Sequence, residues 1–89
     1  MTEVTYEGGG IRGDTRISDI STTGVFIDAL TPLPAGSLVT LRFTLPGGHI
    51  VETSGKVVQS QPRIGMGVVF TSLSPEDENR IRETVGSSS

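Results

Sequence analysis

Across residues 38–45 the chain alternates. Val39, Leu41, Phe43 and Leu45 are apolar, while Thr40, Arg42 and Thr44 are polar. Successive side chains of a strand point to opposite faces, so this pattern predicts a strand with one buried and one wet face, the mark of an antiparallel sheet. Pro46-Gly47-Gly48-His49 predicts a hairpin turn and residues 50–59 the returning strand, with Gly55 as a bulge or bend. Shorter extended segments are predicted over residues 4–6, 16–21, 24–28 and 66–70. They are separated by Glu7-Gly8-Gly9-Gly10, by the Thr22-Thr23-Gly24 break, by a Thr31-Pro32-Leu33-Pro34-Ala35-Gly36 loop and by Gln61-Pro62-Arg63.

The pattern changes period after Ser74. Serine as N-cap, Pro75 at the first helical position and Glu76 and Asp77 in the first turn predict a helix. Glu76 with Arg80 and Glu78 with Arg82 have the favourable four-residue spacing, and Leu73, Ile81 and Val85 form a narrow apolar stripe for docking on the sheet. Six short strands with hairpin links and one terminal helix predict an all-β fold, a small, closed or partly closed antiparallel barrel. The domain is expected over residues 1–85 and a polar tail over 86–89.

Composition narrows this picture. The chain has 89 residues, enough for one small domain, and 12 glycines, 5 prolines and no tryptophan, so its core must come from Val, Ile and Leu. With no cysteine there is neither a disulfide framework nor a thiolate metal site. No run approaches the ~20 apolar residues needed to span a bilayer, and the amino end lacks a signal-peptide pattern; a cytoplasmic protein with no membrane insertion is expected. A net charge of -3 argues against long nucleic acid, which is held by many Lys and Arg contacts, but leaves room for a small phosphate ligand at a local cluster.

Two short patterns carry candidate chemistry. Asp19-Ile20-Ser21-Thr22-Thr23-Gly24 sets an acid, a hydroxyl and a glycine at fixed spacing ahead of Val25-Phe26-Ile27, and Arg12-Gly13-Asp14-Thr15-Arg16 sets two arginines four apart. Taken alone, the first is also the pattern of a turn in which a short acid and a hydroxyl satisfy backbone donors. In its setting it resembles the Asp-x-Ser-x-x-Gly signature of the PilZ domain, a bacterial receptor module for cyclic di-GMP. The resemblance extends through the Pro-Ala-Gly loop, the strand over residues 38–45, Gly65-Met66-Gly67-Val68-Val69-Phe70 and the closing helix.

The resemblance implies a six-stranded PilZ-like β-barrel with a C-terminal helix, with Asp19, Ser21 and Gly24 beside a guanine and an arginine pair gripping phosphate and base. A carboxylate accepts from guanine N1 and N2, an arginine donates in parallel to O6 and N7 or to phosphate, and a glycine lets a base approach the backbone. Arg12 and Arg16 match the arginine signature by spacing. In the family that pair lies on a segment before the first barrel strand, so if residues 4–6 form that strand the segment falls before Met1 and the chain is a shortened PilZ domain. Arg12 and Arg16 then read either as a relocated clamp for cyclic di-GMP or as a solvated pair in or after a glycine-rich hairpin.

The remaining polar residues single out no further site. His49 reads as an exposed turn residue, Arg63 as facing water, Gly65 and Gly67 as packing or bulge positions, and the carboxylates of Asp28, Glu52, Asp77 and Glu78 are scattered. No cofactor and no enzymatic activity are expected. The expected function is a cyclic di-GMP receptor that passes its signal to an unidentified protein effector. The alternative is a PilZ-like module without messenger binding, acting through protein contacts in motility, pilus or surface behaviour.

Overall fold

The structure, a computed structural model, describes residues 2–86. Its elements are β1 (Thr2–Gly8), β2 (Ile11–Ile20), β3 (Gly24–Asp28), β4 (Leu38–Thr44), β5 (Ile50–Gln61), β6 (Gly65–Phe70) and α1 (Pro75–Gly86). The strands pair antiparallel in the order β1-β2-β3-β6-β5-β4, and β4 returns to β1 through Val4↔Phe43 and Tyr6↔Leu41, closing a barrel. The expected all-β barrel with a C-terminal helix is thus the observed fold. Of the polar tail expected over residues 86–89, Gly86 ends the helix and the remainder lies outside the described residues.

The alternation that predicted β4 sets its orientation: Val39, Leu41 and Phe43 are buried and the residues between them exposed. Opposite them on β5 stand Gly55, Thr53 and Val51. Val4, Ile17, Val25, Ile27, Val57, Met66 and Val68 complete the interior, with the Phe43 and Phe70 rings 6.4 Å apart. Gly55 is a packing position rather than the expected bulge. A Cβ there would lie 2.5 Å from Val68 Cγ1 and 2.9 Å from the Val69 carbonyl oxygen, and the register slips instead between Val57 and Gln59, around Val58.

One end of the barrel is filled by Leu33, which the proline-rich loop presses beneath Gly8 and Val39. The other end carries α1. Ser74 Oγ accepts from the Asp77 amide at 3.1 Å, the expected N-cap, and Ile81 is fully buried in the common core. Of the two expected helix pairs, Glu78 with Arg82 closes at 2.7 Å. Val85, expected on the docking stripe, is 41% exposed, because the helix meets the barrel through its first two turns. His49 is not the exposed turn residue its glycine neighbours suggest. Its Nε2 lies 2.7 Å from Asp77 Oδ1, both side chains largely covered, and joins the β4–β5 hairpin to the helix.

Candidate ligand-binding site

Strict alternation along β2 would send Asp19 into the barrel. Gly13, Thr15 and Ile17 take the inward phase, and Asp19 is next in that series. The ladder to β3 instead pairs Ile17 with Ile27 and Asp19 with Phe26, leaving Ser18 as an extra residue. One inserted residue reverses the side-chain phase of everything after it. Asp19 is therefore exposed, and Ile20 turns inward to pack against the core. The Ser18 hydroxyl reaches the Phe26 carbonyl at 3.4 Å.

Beyond the bulge the chain reverses over Ser21, Thr22 and Thr23. The Ser21 amide donates to the Gly24 carbonyl at 2.9 Å, and the Ser21 Oγ accepts from the Thr23 and Gly24 amides at 3.3 and 3.2 Å. The same oxygen lies 3.0 Å from Thr23 Oγ1. Ser21 thus satisfies the turn's own donors, and its part in any site is to shape this loop. Gly24 is required by close packing: a Cβ there would overlap the Val68 carbonyl oxygen on the neighbouring strand.

Phe26 points outward from β3 and stands opposite Gly67 of β6. A Cβ on Gly65 would come within 2.7 Å of Phe26 Cε1, so the phenyl ring lies over strand backbone that carries no side chain. Asp19, Ser21, Gly24, Phe26, Val58 and Val69 line one shallow depression of about 240 Å³. Val58 and Val69 are 55% and 42% exposed, an apolar wall on an outer face. Among the described residues the Asp19 carboxylate has no hydrogen-bond or ion-pair partner. The groove thus offers a free anionic acceptor beside an aromatic and aliphatic floor, a combination suited to a planar ring with N–H donors on its edge.

The arginines lie elsewhere on the same strand. Arg12 and Arg16 project from the outward phase of β2, within a strand that starts at Ile11 rather than in the glycine turn, so neither precedes the first barrel strand. Arg16 stands opposite Glu3 and lines a separate, polar depression of about 570 Å³ with Thr5, Asp14 and Arg42. Arg12 stands opposite Glu7 near the Gly9-Gly10 turn. Seven residues of strand place Arg12 roughly 20 Å from Asp19 and three place Arg16 about 10 Å away. Asp14, between them, accepts from the Thr5 hydroxyl at 2.8 Å. The fold thus brings Asp19, Ser21 and Gly24 together, sets Arg16 alongside and leaves Arg12 at a distance.

Phe26, Val58 and Val69 do not stand out as site residues in the sequence. One signal was present: with Val25 and Ile27 inward, the large apolar Phe26 between them must face out. Val58 follows the same rule, since Val51, Thr53, Gly55 and Val57 take the inward phase of β5 and leave Val58 outward.

A closed six-stranded antiparallel barrel with one terminal helix and this turn between its second and third strands defines a class of small all-β binding domains. The family profile of the PilZ domain matches residues 1–87, and the chain belongs to the PilZ family. That family consists of binding and regulatory domains, generally receptors for cyclic di-GMP. Comparison with curated proteins gives no match. No helix among the described residues is long and apolar enough to cross a membrane.

Proposed function

We propose that this PilZ domain binds cyclic di-GMP in the groove between the Asp19–Gly24 turn and β6, and passes the signal to a protein partner in the cytoplasm. The observation that carries this reading is the Asp19 carboxylate, turned outward by the Ser18 bulge and left unpartnered beside Phe26. In the proposed complex Asp19 accepts from the N1 and N2 donors of one guanine, whose face rests on the apolar floor, and Gly24 leaves the backbone approachable. Ser21 holds the turn in shape. Arg16 is the nearer cation for a phosphate, and Arg12, the other arginine of the spacing match, contributes only if the ligand reaches along β2.

Isothermal titration of the purified chain with cyclic di-GMP, with GTP as competitor control, tests this. Saturable binding that GTP does not displace is expected. The placement of both arginines on β2, with Asp14 between them, favours a second reading: a PilZ module that no longer takes the messenger and acts through protein contacts in motility, pilus or surface control. Absence of heat at high ligand concentration decides for that reading.

A further inference from the structure

The barrel is closed, yet one stretch of strand edge is open. Gly9 and Gly10, with φ of 59° and 79°, make a two-residue turn that sets Gly8 opposite Ile11. In such a hairpin the flanking pair exchanges hydrogen bonds, so the odd residues of β2 bond to β1 and the even ones direct N–H and C=O to the other side. On that other side, pairing with β3 begins only at Ile17. The backbone groups of Arg12 and Asp14 on that edge therefore have no partner among the described residues. The Arg12 guanidinium likewise has none, and beside it Ile11 is 52% exposed.

We infer that this edge pairs with the same edge of a second copy of the chain, antiparallel about a two-fold axis through Gly13. That register sets Arg12 opposite Asp14 of the second copy and Asp14 opposite Arg12. Both are residues whose free N–H and C=O face the edge, so each pair exchanges two backbone hydrogen bonds. Their side chains share the outer face, so each pair also joins a guanidinium to a carboxylate. Gly13 meets Gly13 on the axis as a non-bonded pair, the side-chain position of each being covered within its own chain by the Tyr6 ring, 2.7 Å from where a Cβ would lie. An isologous contact must be self-complementary, and Arg12-Gly13-Asp14 read against itself in reverse is complementary in charge, hydrogen bonding and bulk. The apolar cover, from Ile11 at the end of the edge, is small beside the roughly 1,600 Å² of a standard interface, so the association is micromolar rather than nanomolar.

Sedimentation of the nucleotide-free chain at rising concentration, up to about 1 mM, is expected to show a monomer passing to a dimer. R12D and D14R each place like charges opposite one another twice, and each is expected to sediment as a monomer. An equimolar mixture of the two restores both opposite-charge pairs and is expected to form a heterodimer. Amide hydrogen exchange on the unmodified chain supplies a reading that no variant's folding can compromise: protection at Arg12 and Asp14 rises with protein concentration. A chain monomeric at every concentration, a charge reversal that dimerises like the parent, a mixture that fails to recombine or concentration-independent exchange at these two amides overturns the proposal.

Discussion

Exposed and without a partner among the described residues, the Asp19 carboxylate adds little to the barrel's stability and stands open to a ligand's donors. Asp19→Ala is therefore expected to leave thermal unfolding within about 0.5 kcal/mol of the parent. The same substitution should weaken cyclic di-GMP binding roughly tenfold or more, since hydrogen bonds to a charged group contribute about 1.5 to 3 kcal/mol. Titration and melting of one variant thus separate recognition from folding. Gly24, two residues before Phe26, should behave in the opposite way. A methyl group at this position must displace the Val68 carbonyl, so Gly24→Ala is expected to cost about 1 to 3 kcal/mol by chemical denaturation. Its loss of binding then follows from loss of shape rather than of a contact.

At the scale of elements, the Ser18 bulge and the helix anchor decide where side chains point. Deleting Ser18 removes the extra residue and leaves Ile17, Asp19 and Ile20 in plain alternation opposite Ile27, Phe26 and Val25, so Asp19 stays outward and Ile20 inward. The deletion is expected to keep the barrel and the outward Asp19 and to cost about 1 to 3 kcal/mol in thermal unfolding, because the strand loses its local bend and the Ser18 contact to the Phe26 carbonyl. Ser18→Gly, which keeps the residue count, is expected to retain both fold and binding. At the barrel's end, His49→Ala removes the contact to Asp77 and should speed amide exchange in α1 while leaving the core strands protected. Neither device was legible in the sequence. The residues of β4 announced themselves through alternation, and α1 through Ser74 and Pro75, because in both cases neighbours in sequence carry the signal. The first half of β2 did not, since Arg12-Gly13-Asp14 has the composition of a turn and is held extended only by its ladder to β1. The bulge and the His49–Asp77 contact likewise depend on register between distant segments, which no local pattern encodes. The Asp19, Ser21, Gly24 turn was legible as a motif, while its apolar floor had to await the barrel.

For the whole molecule, charge and size frame the question of the arginines. The chain carries a net charge of -3 and has a radius of gyration of 12.1 Å, comparable to the roughly 10 Å screening length of 0.1 M salt. A ligand with two phosphates is therefore repelled at long range, and salt relieves that repulsion. If Asp19 and the apolar floor supply most of the affinity, titrations between about 0.05 and 0.3 M salt should show binding that holds or strengthens slightly as salt rises. Direct clamping of phosphates by Arg16, or by Arg12 as well, has the opposite signature, since short-range ion pairs with phosphate weaken as salt competes for both charges. A several-fold fall in affinity over this range, abolished in Arg16→Ala, would show that the strand-borne arginine does the work of the family's arginine segment. A flat or rising profile, unchanged in that variant, would assign recognition to the Asp19 groove and leave the arginine face of β2 to contacts with protein.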